Sequence, residues 1–279
     1  MLEWIIADRR FRLLIDKESI PDSWETAFTS HVRAVESADS PVHVEIDATP
    51  MCLESNMCST RLERDTNSAC TRLFVDVPDS RGSLILNNNL CRGRFDVGAD
   101  GIFGLFVTLR IALALVMEET DGLLLHASGV WREGKVYLFC GPSGAGKTTI
   151  AVDLRENGKN FSEDEIALEF DSAGQLIAHS TPFGETRTQR DCPDSAPVAG
   201  ICFISQSKRT KLSRSDTQHA VEMLLRESRW FVRDLTTTQL VLNVIGRIVE
   251  KGLCYNLEFS KDTTFWSLLD EAEKQNEPS

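Results

Sequence analysis

The run KVYLFCGPSGAGKTTIAVDL at residues 135–154 constrains the architecture more than any other part of the chain. KVYLFC is a short, continuous apolar run and reads as a fully buried strand. TTIAVDL reads as a helix. Between them Gly141, Pro142, Ser143, Gly144, Ala145, Gly146, Lys147 and Thr148 complete the pattern G-x-x-x-x-G-K-[ST] without a mismatch. The glycines allow a tight backbone that turns successive N–H groups inward. Those donors, together with the positive end of the following helix, suit phosphate oxygens. Lys147 supplies charge for the terminal phosphates, Thr148 a hydroxyl for Mg²⁺, and Thr149, next in the first helical turn, completes the expected nucleotide-binding residues. The expected ligand is ATP with Mg²⁺. The plain alternative is a Gly-rich turn that binds nothing; a complete motif in the right strand–helix setting argues against it.

A loop of this kind does not name a reaction, so its neighbours must. Ser162-Glu163-Asp164-Glu165 follows the helix and precedes EIALEF (residues 165–170). Acids beside a triphosphate repel it unless a cation lies between. The cluster therefore suits a magnesium site with one carboxylate left to take a hydroxyl proton. The competing reading is a solvated acidic turn. The acids lie before their strand rather than at the end of an apolar run, which departs from the usual Walker B form. No transporter signature loop is present either, so a motor or transporter ATPase is disfavoured. His126 lies upstream in LLLHASG (residues 123–129), read as one buried strand neighbouring the loop strand.

The first hundred residues read as strands and turns: FRLLID (11–16), VHVEIDA (42–48), RLFVDV (72–77) and SLILN (83–87). The polar segment between Cys52 and Cys70 reads as a loop. Residues 101–119 read as an apolar helix ended by Thr120-Asp121-Gly122. Beyond the phosphate loop the pattern predicts a helix to residue 157 capped by Gly158. A hairpin turning at residues 171–174, a strand at 200–205, helices at 218–227 and 237–250, a strand at 253–259 and a last helix at 262–274 follow.

Composition excludes some classes. The formal net charge of −12 argues against non-specific nucleic-acid binding. GIFGLFVTLRIALALVM (101–117) is short for a membrane span and contains Arg110, which favours a buried helix. MLEWIIADRRFRLLID (1–16) carries no apolar h-region before a cleavage site, so a secretory signal is not expected there. The 8 cysteines form no C-x-x-C pair; Cys52, Cys58 and Cys70 fit metal-ligand spacing poorly, and reduced thiols in a cytoplasmic protein are the expectation.

LLHASG (124–129), LFCGPSGAGKTTIA (138–151) and SEDEIAL (162–168) together resemble the catalytic domain of HPr kinase/phosphorylase. The resemblance is closer to stand-alone HPr-kinase-like proteins of bacterial pathways, some of which phosphorylate a small peptide. It carries clear motifs from about residue 123 to 167 and continues more faintly to about 270. The family pattern has a His before the loop and an Asp-Asp pair after it. Ungapped counting from Lys147 through the shared Gly158 sets Asp164-Glu165 on that pair. The resemblance thus implies Glu165 as general base, Asp164 supporting metal or attacking hydroxyl, and His126 beside them. Because Glu replaces the second Asp, the base stays open between Asp164 and Glu165. Glu185 in ETR (185–187) stands where the family has a metal-holding Glu, although Thr188 replaces the Gly that follows; no phosphorylase activity is expected. Arg226, Arg229 and Arg233 all fit a late family arginine.

The resemblance implies an α/β fold: a P-loop kinase core of the HPr kinase and phosphoenolpyruvate carboxykinase type (residues 101–279) behind a β-rich N-terminal region (1–100). It implies an ATP-dependent kinase acting on a Ser or Thr hydroxyl of a protein or peptide, such as a precursor peptide. Alternatives are a nucleotide-sensing partner protein without transfer, a small-molecule kinase on the same core, and a plain ATPase. Homo-oligomers are implied by the family alone.

Overall fold

The structure, a computed structural model, describes residues 2–6, 9–14, 42–50, 59–65, 70–77, 80–87, 90–97, 102–153, 158–183, 192–231, 235–260 and 263–276. It is a mixed α/β protein that divides into two compact units, Met1–Thr120 with Trp230–Thr237, and Asp121–Arg229 with Thr238–Ser279.

The first unit is a seven-stranded sheet in the order β1-β2-β3-β7-β6-β5-β4. Its strands are β1 (Leu2–Ile6), β2 (Arg9–Leu14), β3 (Val42–Pro50), β4 (Ser59–Asp65), β5 (Cys70–Val77), β6 (Ser80–Asn87) and β7 (Leu90–Val97). Alternation places Phe11, Val44, Ile46, Leu73, Val75, Leu84, Leu86, Cys91 and Phe95 in the core. Helix α1 (Ile102–Glu119) packs on β3, β5, β6 and β7. It groups with this sheet, whereas the sequence had it opening the second domain. It is apolar nearly all round because it is buried nearly all round, from Ile111 to Met117. No described helix is long and apolar enough to cross a membrane. The segment expected as a loop between Cys52 and Cys70 contains β4. Its charged alternation suits an edge strand and carries little apolar signal.

The second unit is built on β14 (Ser195–Gln206), a twelve-residue strand shared by two sets of partners. Its first residues pair antiparallel with β13 (Leu176–Ser180), which continues to β12 (Ile166–Phe170) and β8 (Leu123–Leu125). Its remainder runs parallel to β10 (Lys135–Cys140) on one side and β16 (Cys254–Phe259) on the other. β9 (Ala127–Arg132) and β11 (Lys159–Ser162) extend the sheet beyond β10, and β15 (Lys211–Arg214) pairs with β16. The run LLLHASG is therefore not one strand. It breaks at His126, with β8 entering one set of strands and β9 the other. Both halves are buried, so hydrophobicity gave no sign of the break.

Helix α2 (Thr217–Glu227) begins at Asp216, whose carboxylate accepts from the His219 amide at 2.9 Å. Helices α3 (Leu235–Glu250) and α4 (Phe265–Asn276) follow. α4 packs edge-on against the loop strand: the Trp266 ring lies 5.5 Å from Tyr137 and 5.9 Å from Phe139, both near-perpendicular. Arg132 grips Asp270 through two hydrogen bonds of 2.6 and 3.1 Å, and Tyr137 donates to Glu273 at 2.7 Å. Lys135 pairs with Glu273 as well. These contacts anchor β10, and with it the start of the phosphate loop.

Candidate active site

The three parallel strands β10, β14 and β16 end together, and their carboxyl ends carry Gly141, Gln206 and Phe259. Ligands of α/β sheets collect at this edge, outside the strand ends. A cavity of about 440 Å³ lies there, lined by His126, Ser128, Ser143, Gly144, Gly146, Lys147, Thr148, Thr149, Glu163, Asp164, Gln206 and Phe259.

The loop conformation follows from its glycines. Gly144 has φ +79° and Gly146 φ +109°. A Cβ on Gly146 would lie 2.6 Å from the Phe259 ring, so both backbone angle and space demand glycine. Gln206 Nε2 donates to the Gly144 carbonyl at 2.9 Å and holds the loop from β14. The Ala145 amide is spent on Pro142 O at 3.1 Å. Among the described residues no acceptor takes the amides of Gly144 or Gly146, which leaves them for a ligand. Gly141 is buried beneath the loop against Ile204; Gly141, Pro142 and Ala145 shape the loop without lining the cavity. The expected helix starts at Lys147 and Thr148 and continues as a π-helical turn, Thr149–Asp153; residues 154–157 lie outside the described ones.

Lys147 folds back over its own loop. Its Nζ donates to Gly141 O at 2.7 Å and to Pro142 O at 3.4 Å. Desolvation by burial lowers its pKa, against the opposing pull of Glu227, Cys140 and Asp164, while Arg229 adds to the lowering.

The acids are separated by backbone geometry that no spacing rule reveals. β11 is irregular in its pairing with β9 between Asn160 and Ser162. Directly afterwards the Glu165 amide donates to the Glu163 carbonyl at 2.8 Å, across Asp164 with φ +66°. This is a γ-turn of the strained hand. It persists because its carbonyls are all engaged. Asp164 O accepts from the Ala127 amide at 3.1 Å and His126 Nδ1 at 2.8 Å. Glu165 O accepts from Thr181 Oγ1 at 2.6 Å and Ser162 Oγ at 3.0 Å. Glu163 and Asp164 line the cavity, whereas Glu165 does not.

Glu165, the residue favoured as general base from the resemblance, is fully buried and meets Arg229 Nε at 3.2 Å. The turn carries it away from the phosphate loop and into an ion pair. Glu165→Ala should cost about 2–3 kcal/mol of stability, since it strands one partner of a buried pair whose other end is partly solvated. Denaturant titration reads that loss; unchanged stability with lost turnover would return Glu165 to the chemistry.

His126 lies at the break between β8 and β9, its own amide held by Glu227 O at 2.7 Å. Its Nδ1 is 3.0 Å from Asp164 Oδ1 as well as 2.8 Å from Asp164 O. Both partners are acceptors, which assigns the proton to Nδ1 and fixes the ring beside the carboxylate. The structure thus brings together His126, Lys147, Thr148 and Asp164. Glu185 and Arg233 lie outside the described residues. Arg229 pairs with Glu165 at 3.2 Å, and Arg226 pairs with Glu227 at 3.0 Å.

Glu163 was read from the sequence only as one member of the acidic cluster, with no role of its own, and Ser128, Gln206 and Phe259 were given none. Ser128 could have been flagged as a neighbour of His126, whereas Gln206 and Phe259 arrive only through strand pairing. Cys140, Cys202 and Cys254, on the parallel strands β10, β14 and β16, are free, buried thiols; burial raises all three, Cys254 to about 12. Cys91 is likewise free and raised to about 12. Cys52 and Cys58 lie outside the described residues.

Among solved structures the chain is similar to the HPr(Ser) kinase/phosphatase from Coxiella burnetii, at 12% identity and a TM-score of 0.25 over 46% of this chain and 98% of that one. No curated protein matches it. The family model described as SynChlorMet cassette protein ScmC matches residues 105–274, more than half of the chain. The chain belongs to this ScmC family of SynChlorMet cassette proteins.

Proposed function

We propose that the protein is an ATP-dependent kinase that transfers the γ-phosphoryl group to a Ser or Thr hydroxyl of a protein or peptide. The observation that carries this reading is the shared cavity. Ligand-ready amides of Gly144 and Gly146, the Lys147 ammonium and the Thr148 hydroxyl open onto the same space as an Asp164 carboxylate held by His126. A phosphate loop alone serves binding. A carboxylate fixed in its mouth gives an attacking hydroxyl somewhere to leave its proton. The resemblance of these motifs to HPr-kinase-like proteins supports the same reading.

The donors present fit Mg²⁺. Thr148 and the cavity carboxylates offer hard oxygens, and no group of three or more His, Cys, Asp or Glu among the described residues forms a complete cage. Magnesium typically takes one or two carboxylates and completes its shell with phosphates and water. When bound, it would draw charge off the phosphates. The chain's residues do the rest. Lys147 leaves Gly141 O and Pro142 O for the phosphate oxygens. Asp164 receives the proton of the acceptor hydroxyl. His126 positions Asp164 and, with its proton on Nδ1, keeps the carboxylate in place through the transfer.

Labelled ATP incubated with the protein and Ser- or Thr-containing peptides from the same cassette tests the proposal. Label should pass to peptide. Full-rate hydrolysis without acceptor would make the chain an ATPase, and binding with no turnover would make it a sensor.

Binding should also depend on pH. Lys147 titrates below the ordinary lysine range in the free protein, and bound phosphates pull it back up. Between those two values the complex holds more protons than the free protein. Affinity should therefore fall as pH rises through the alkaline range, by up to about tenfold per pH unit. Calorimetry in two buffers of different ionisation enthalpy should show proton uptake; its absence would mean that Lys147 does not reach the phosphates.

A further inference from the structure

Glu163 is 7% exposed, yet it lines the same cavity as Lys147, Thr148 and Asp164. Its Oε1 accepts from Asn160 Nδ2 at 2.5 Å. A buried carboxylate next to a polyanion site is costly unless a cation comes between them. The backbone has been shaped to put it there. The irregular pairing at Asn160–Ser162 and the γ-turn at Asp164 together set Glu163 and Asp164 on the cavity while sending Glu165 to Arg229. Asp164, meanwhile, is occupied by His126 on both its carbonyl and its carboxylate.

From this division of labour we infer that Glu163, positioned by Asn160, is the carboxylate that faces the divalent cation of the bound nucleotide, leaving Asp164 for the acceptor hydroxyl. The inference rests on the nucleotide-binding reading above. It assigns a role to a residue that the motif resemblance passes over, since ungapped counting places the acidic pair one position later. The site then needs a carboxylate from β11's turn beside the Thr148 hydroxyl, rather than two acids in direct succession from Asp164.

The test is calorimetric binding of a non-hydrolysable ATP analogue across a Mg²⁺ titration, using the full chain. Wild type should bind the analogue more tightly as Mg²⁺ rises. Glu163→Gln keeps an oxygen for Asn160, and it should raise the Mg²⁺ concentration needed for that gain at least tenfold. Its metal-free affinity should be equal or better, because a repelling charge is gone. Asn160→Ala should shift the Mg²⁺ requirement in the same direction by a few-fold, and it serves if Glu163→Gln folds poorly. A Mg²⁺ requirement unchanged in both variants overturns the inference, as does one lost only in Asp164→Asn. Failure of wild type to bind the analogue at any Mg²⁺ concentration would instead remove the nucleotide reading itself.

Discussion

Lys147→Ala should weaken binding of an ATP analogue by roughly 10- to 100-fold and leave the fold intact. Hydrogen bonds to charged groups contribute about 1.5–3 kcal/mol each, and every 1.4 kcal/mol is tenfold. Among the described residues the lysine's partners are Gly141 O and Pro142 O in its own loop. Both carbonyls can turn to water when it goes, because Pro142 is exposed and the cavity opens beside them. The loop's shape is carried by the positive φ angles of Gly144 and Gly146 and by the Gln206 bond to Gly144 O, none of which uses the ammonium. Calorimetry and a thermal melt on one sample separate the two effects. Retained affinity would mean that polyphosphate does not lie on this loop.

Asp164→Asn should lower turnover by about 10²–10⁴-fold, the range for loss of a positioned general base, with analogue affinity changed little. The substitution is chosen for the backbone. Asn tolerates φ near +66° as well as Asp does, so the γ-turn survives. The His126 Nδ1–H still finds the residue's carbonyl at 2.8 Å. What disappears is the charge. Asp164→Ala confounds the measurement, because an alanine strained at positive φ costs stability too. A purely structural Asp164 predicts a shifted melting temperature and turnover lost in proportion to unfolded protein. A catalytic one predicts lost kcat at an unchanged melt. Turnover retained by a well-folded Asp164→Asn would remove this residue from the chemistry.

The strand–loop–helix around Gly141–Thr148 could be read at once because everything that shapes it is contiguous. Strand, glycines, lysine and hydroxyl occupy residues 135–149, and the φ angles that Gly144 and Gly146 adopt are the ones glycine permits. Elements with strong local patterns were legible for the same reason: the buried strand β10, the hairpin β12–β13 turning at Gly174, the capped α2 and the apolar α1. β4 was missed because an edge strand is polar by necessity, and α1 was placed with the wrong neighbours because apolarity says that a helix is buried but not against what.

The acids show the limit most clearly. SEDE names three carboxylates in a row, and an extended chain would simply alternate them. Which of them meets the phosphate loop depends on irregular pairing in β11 and a strained turn at Asp164. That turn accepts bonds from Ala127, His126, Ser162 and Thr181, residues as far as 38 positions away in sequence. His126 owes its place to a break between two sets of strands that are equally apolar. The amino-acid order alone determined a glycine-rich strand–loop–helix and a supply of nearby acids. The assembled sheets chose which acid faces it, because a side chain's direction at a bulge or a turn is set by long-range hydrogen bonds and not by its neighbours in the chain.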